Sequence, residues 1–250
     1  MINIHTPLQN NLLKNIAKAD FDQLEPYLEF VEMPKGQILC ESGSVVTHVY
    51  FPTTALVSIL YESQDGNSVE VALVGNEGML GIASFLGGDS MPRTLVVQNA
   101  GYGYRLKAAI IKQAFNCSGT LCQVLLRHIQ AFVTQMAQTV ICNRHHCIEQ
   151  QLCRFLLKCI DRLPNNSINM TQEQISHLIG VRREGITEAA CKLHKAGLIT
   201  YSRGHIDVLN RDGLEENACE CYQVVKDEID KLFPENKKQL IKPIKELAYI

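Results

Sequence analysis

The chain has 250 residues, 46% of them hydrophobic and 20% charged, with a formal net charge of −2. This exceeds one small domain and is too apolar for a disordered chain. No apolar run approaches the ~20 residues of a membrane helix. The N-terminal "MINIHTPLQNNLLKN" lacks the basic region and apolar core of a secretory signal. A cytoplasmic location without membrane contact is therefore expected, with the ten cysteines mostly reduced.

Charge is unevenly placed. Residues 1–150 carry 9 Lys+Arg against 12 Asp+Glu, residues 151–211 carry 9 against 5, and residues 212–250 carry 6 against 9. The middle segment is basic within an acidic chain, which points to a nucleic-acid surface.

From about Asp20 to Lys112 the pattern is short and alternating. "DFDQLEPYLEF" reads as a lead-in helix with Phe21, Leu24 and Leu28 on one face. "HVYFP", "LVSILYE", "SVEVALV" and "TLVVQ" follow as β-branched or aromatic runs between Pro/Gly/Asn/Asp turns, the signature of a β-sandwich or barrel. From Thr120 to Leu163 neither Pro nor Gly occurs, and apolar residues recur at three-to-four spacing. That predicts a long helix, broken near Asn143 to His146. Its stripe (Leu121, Leu125, Ile129 or His128, Phe132, Met136, Val140) resembles a heptad seam and is expected to pair with a second copy rather than cover the chain's own β-domain.

Pro164-Asn165-Asn166-Ser167 is a breaker. After it, Thr171 with Gln174 forms a capping box ahead of Ile175, Leu178 and Ile179. Gly180 permits a turn, and a second helix starts near Arg182 with Ile186, Ala189, Ala190 and Leu193 inward. Gly197 closes that helix, and "LITYSRGHIDVL" alternates about Gly204 as a two-stranded wing. Two helices, a Gly turn and a hairpin make a winged helix-turn-helix, whose second helix presents its first turns to the major groove. Arg182, Arg183, Glu184, Gly185, Thr187 and Glu188 occupy those turns; arginine suits guanine and glutamate suits cytosine N4. Thr171, Arg203 and His205 are candidate backbone contacts. No GxSxG, P-loop or HExxH motif occurs, so an enzyme is not expected.

On these residues the chain resembles the cyclic AMP receptor protein/fumarate-nitrate reductase regulator (Crp/Fnr) family of bacterial transcription factors, over about Leu24 to Tyr222. "TQEQISHLIGVRREGITEAACKLHKAGLI" is similar to the family's helix-turn-helix, with Arg183-Glu184 at its base-reading pair and Glu188 where many members carry a second arginine. "GNEGMLGIASFLGGDSMPRTLVV" is similar to the family's phosphate-binding cassette. Gly81 falls on its glycine and Arg93-Thr94 on its Arg-Ser/Thr pair. Ile82 falls where cyclic-AMP binders place a glutamate for the ribose hydroxyl, and the cassette is about one residue longer.

The resemblance implies an α+β fold. Its parts are an N-terminal cyclic-nucleotide-binding-like β-roll (20–116), a long dimerisation-helix region (117–163), a winged helix-turn-helix (164–225) and a C-terminal tail (226–250). It implies a homodimer paired along Leu121, Leu125, Ile129, Phe132, Met136 and Val140. Double-stranded DNA is the implied partner, with RNA polymerase a further candidate, and a small anionic effector of unknown identity is the implied ligand. Arg93 either grips that ligand or pairs with an acid such as Asp89. No cofactor is required. The expected function is a homodimeric, sequence-specific transcription regulator; the alternative is a ligand- or redox-sensing interaction module without DNA output.

"CNRHHCIEQQLC" gathers Cys142, His145, His146, Cys147 and Cys153, and Cys219 and Cys221 lie further on. Cys142 and His145, or His146, sit at helical i,i+3 or i,i+4 spacing, so shared geometry is possible, but no CxxC pair or zinc-module spacing exists. The first cysteine is Cys40, so the N-terminal cluster of iron–sulfur members is missing. The expectation is buried or incidental thiols and no metal, with a redox role or a metal as alternatives. His128, His177 and His194 read as interior or surface histidines.

Overall fold

The computed structural model describes residues 5–233 except Asn67, Ser118 and Arg203. Two short helices, α1 (Asn11–Lys14) and α2 (Lys18–Leu24), lead into the strands. The lead-in helix stops earlier than its apolar spacing predicts. Pro26 has no N–H to donate, so Glu25–Tyr27 tightens into a 3-10 turn and the chain is extended from Glu29.

Seven antiparallel strands form two sheets: β1 (Glu29–Met33), β2 (Ile38–Cys40), β3 (His48–Pro52), β4 (Leu56–Glu62), β5 (Ser68–Val74), β6 (Thr94–Asn99) and β7 (Gly101–Lys107). One sheet has the order β1-β7-β3 and the other β2-β6-β4-β5. The alternating runs correspond to β3, β4, β5 and β6. Between the sheets lies an apolar core that includes Met33, Phe51, Ile59, Met79, Leu95 and Leu106. β7 can lie this close to β3 only because Gly103 has no side chain; a Cβ there would stand 2.7 Å from Phe51 O.

A one-turn helix, α3 (Ala83–Leu86), sits between β5 and β6, and α4 (Ala108–Asn116) follows β7. Then comes α5 (Thr120–His145), 26 residues and about 39 Å long. Asp20 of α2 caps it, accepting from the Thr120 hydroxyl and from Leu121 N–H, so a carboxylate meets the positive helix end. The helix breaks at His146, which is extended, and α6 (Ile148–Ile160) restarts from Cys147.

The stripe expected to face a second copy is turned the other way. Leu121, Leu125 and Phe132 are buried in the core of the chain's own β-domain, with Ile129 and Met136 packed against it; of the six, Val140 alone is exposed. Periodicity fixes a face, not the neighbour it meets. A second stripe, Leu126, Val133 and Val140, repeats every seven residues and lies open to solvent with Ile141 beside it.

A second core joins α6 to β8 (Ser167–Ile168), α7 (Gln172–Ile179), α8 (Arg183–Lys195), β9 (Ile199–Ser202), β10 (His205–Val208) and α9 (Arg211–Asn217). α6 therefore packs with the C-terminal unit rather than extending the long helix, and the boundary falls nearer Cys147 than Pro164. The last described helix, α10 (Glu220–Leu232), runs through the expected boundary at residue 226 and packs back along α5. Most of the expected tail, residues 234–250, lies outside the described residues.

The two cores touch. Leu56 and Leu73 of the β-domain reach into the second core. Lys158 of α6 pairs with Glu70 of β5 at 3.0 Å, and Arg162 just beyond α6 pairs with Glu77 at 2.6 Å, with both cations and Glu70 buried. Lys35 in the β1–β2 turn donates to Asn169 O and Gln174 Oε1 of the C-terminal unit.

Candidate nucleic-acid interface and sensory cassette

α7 begins as its sequence requires. Thr171 accepts from Gln174 N–H while Gln174 Oε1 accepts from Thr171 N–H, a reciprocal capping box worth about 1 kcal/mol. Gly180 ends the helix at φ +80, the left-handed region in which a β-carbon is strained. Val181 and Arg182 complete the turn, with Arg182 at the N-cap of α8. Ile186, Ala189, Ala190 and Leu193 are buried, as their spacing predicts. The end of α8 also follows expectation: Gly197 at φ +72 donates to His194 O, and Leu198 N–H reaches back to Leu193 O.

The opposite face of α8 is open. Arg182, Arg183, Glu184, Thr187 and Glu188 are all exposed. Among the described residues no ion pair engages Arg182, Arg183 or Glu184. Glu188 is occupied: it pairs with Lys192 at 3.2 Å. The Thr187 hydroxyl lies 2.8 Å from Gln172 Oε1 and so braces α7 against α8. Gly185 faces inward rather than toward a ligand, since a Cβ there would come within 2.6 Å of Ile148 Cδ1. β9 and β10 form the wing about Gly204, and β8 adds a third strand. Thr171, Gln172, Arg183, Tyr201 and His205 line one groove between helix and wing. Thr171, Arg183 and His205 thus come together there; Arg203 lies outside the described residues.

In the β-domain, Gly81 has φ +94 and packs against His48 O and Val49, so the cassette turn needs glycine at that point. Thr94 is buried, 3.5 Å from Glu62 Oε1. Arg93 does not pair with Asp89, which is held by Lys112 at 3.1 Å. Its Nε donates to Met91 Sδ, and its guanidinium lies over the Phe132 ring of α5 at 5.7 Å. The cassette arginine therefore rests on the long helix. Ile82 is buried in the same apolar core as Met79 and Phe85. His128 of α5 is also enclosed, its Nε2 3.1 Å from Met79 O, and burial holds its pKa below the usual imidazole value.

Residues 150–217 match the family described as the Crp-like helix-turn-helix domain, and residues 30–116 match the cyclic nucleotide-binding domain. The chain belongs to the Crp/Fnr family of transcriptional regulators, which joins these two domains. FixK2 from Bradyrhizobium japonicum has a similar structure, with TM-score 0.67 and 16% identity over 77% of this chain and 98% of that one. The c-di-GMP responsive global regulator CLP of Xanthomonas campestris matches with TM-score 0.61 and 13% identity, covering 77% and 99%. A CRP-family transcriptional regulator from Thermus thermophilus gives TM-score 0.61 and 17% identity, covering 75% and 96%. At these identities the likeness is one of fold. No curated protein matches the sequence. No described helix is long and apolar enough to cross a membrane.

Proposed function

We propose that the chain is a sequence-specific DNA-binding regulator that acts as a homodimer and answers to an anionic effector other than cyclic AMP. One observation carries the DNA reading: at the N-cap and first turn of α8, beside a wing, Arg182, Arg183 and Glu184 stand exposed and without an ion pair among the described residues. Arginine is bidentate to guanine O6 and N7, and glutamate accepts from cytosine N4. The positive end of α8 favours a phosphate nearby.

The homodimer reading rests on the Leu126–Val133–Val140 stripe, whose seven-residue spacing matches a two-helix seam. Two copies joined there carry two recognition helices, as paired half-sites require. For the effector, Ile82 offers no acceptor to a ribose hydroxyl, and a ligand hydroxyl left unpaired weakens binding. Arg93 keeps its charge available to a phosphate, and its seat on Phe132 links such a ligand to α5.

The test is selection from a random duplex pool by the purified full chain, alone and with cyclic AMP, cyclic GMP or c-di-GMP, the last because one structural relative is described as responsive to it. A two-fold symmetric motif supports the reading. Enrichment of no motif under any condition overturns it, and a motif dependent on cyclic AMP overturns the effector part.

A further inference from the structure

Four side chains from elements far apart in sequence meet where α5 ends and α10 begins. Cys142 lies in the last turn of α5, and His146 is the residue that ends it. Cys219 is the N-cap of α10, and Cys221 is in its first turn. Three sulfurs and one ring nitrogen lie within 4.8 Å of one another. Cys142 Sγ is 3.5 Å from Cys219 Sγ, and Cys221 Sγ is 3.6 Å from His146 Nδ1. A tetrahedron with zinc–sulfur bonds of ~2.3 Å and a zinc–nitrogen bond of ~2.0–2.1 Å has edges of about 3.8 Å between sulfurs and about 3.6 Å from sulfur to nitrogen. The sulfurs stand well beyond the ~2.05 Å of a disulfide.

The surroundings suit a metal ion better than simple burial does. Cys153 and Cys159 pack among leucines in the second core, whereas Cys142, Cys219 and Cys221 form a separate buried cluster made of cysteines alone. Glu220 Oε1 sits 3.2 Å from His146 Nε2. With Nε2–H donated to that carboxylate, Nδ1 turns a bare lone pair toward the thiols, the carboxylate–histidine arrangement common at metal sites. Three thiolates and a divalent ion leave one net negative charge. The buried Arg154 guanidinium, whose Nε has no hydrogen-bond partner among the described residues, acts electrostatically on Cys142 and Cys221 and balances it. Cys221 also lines a pocket of about 230 Å³ beside α6.

We propose that Cys142, His146, Cys219 and Cys221 form a Cys₃His site for a thiophilic divalent cation, with zinc the best fit. On binding, three thiols release protons to solvent and no electrons move. A site with four protein ligands serves structure rather than catalysis. Here it fastens α10 to the end of α5, one residue before the chain turns into α6. The inference stands independently of DNA binding.

The test is metal analysis of the full chain expressed in zinc-supplemented medium, followed by cobalt substitution of chelator-treated protein. The expected result is about one zinc per chain, and a cobalt form with tetrahedral d–d bands and thiolate-to-metal charge transfer. Cys219→Ser and Cys221→Ser should each lower the zinc content, whereas Cys117→Ser, at an exposed cysteine, should retain it. Because a variant can fail to fold, the wild-type cobalt spectrum decides on its own. Substoichiometric zinc without a cobalt spectrum, or a Cys142–Cys219 disulfide in freshly isolated protein, overturns the proposal.

Discussion

Replacing Glu70 by Gln would test how the β-domain is bolted to α6. The Lys158–Glu70 pair has side chains only 8% and 3% exposed and an Nζ–Oε1 distance of 3.0 Å, with the Ser58 hydroxyl donating to the other carboxylate oxygen. Gln keeps the shape but strands the ammonium, and breaking a buried pair from one side costs about 3–5 kcal/mol. At about 2–4 °C per kcal/mol for a chain of this size, melting should fall by roughly 6–20 °C. Burial already holds the Lys158 pKa below its usual value, while Glu70 opposes that shift. Without Glu70 the folded-state pKa drops further below the unfolded ~10.4. The unfolded chain then binds more protons in that window, so stability rises with pH and the deficit shrinks toward pH ~10. Calorimetry and urea unfolding across pH measure both effects. The double variant Glu70→Leu/Lys158→Met should cost less than either single change. A loss below about 1 kcal/mol with no recovery at high pH would refute a dry, docked pair.

Arg183→Ala should weaken specific DNA binding by about 1–3 kcal/mol and relax one base position in a binding-site scan; an equal loss on all sequences would assign Arg183 to phosphate instead. Val133→Glu, at a 48% exposed position on the open stripe of α5, should yield folded monomers in sedimentation equilibrium, whereas an unchanged mass would move the interface elsewhere. His128 is buried with a lowered pKa, so the wild type should lose stability as pH falls below ~6.5, the unfolded value, toward the lower folded one. His128→Gln should flatten that acid limb of a melting-temperature profile, and an identical limb in both proteins would exclude His128 as its source. Thr171→Ala should cost about 1 kcal/mol in urea unfolding through loss of the α7 cap.

The winged helix-turn-helix was legible because its signals are local. Thr171 with Gln174, Gly180 and Gly197 each impose a backbone event within a few residues, and the structure has all of them. The missed β-strands failed for equally specific reasons. β7 reads "GYGYRLK", and glycine argues against a strand until Gly101 and Gly103 are seen lying against the backbone of Thr54 and Phe51. β1 was hidden behind Leu28, which continues the helical spacing of Phe21 and Leu24 although Pro26 intervenes. On α5 the period was right and the facing was not. Two apolar stripes share one helix, and spacing cannot say which meets the β-domain. The cysteine–histidine cluster was beyond local reading, because Cys142 and Cys219 are 77 residues apart and only the return of α10 along α5 joins them.

That return of α10 sets how the reading head can move. A domain hung from one peptide joint can swivel in any direction. This one leaves α5 through Cys147 and comes back to α5 through Cys219, so the strand out and the strand home share a short stretch of the same rod. Any motion of this unit against α5 must also disturb the buried Lys158–Glu70 and Arg162–Glu77 pairs that hold α6 to the β-domain. Arg93 is seated on Phe132 further along that rod, so under the proposed function a ligand that shifted α5 would change the angle between the paired recognition helices, to which half-site spacing on DNA is sensitive.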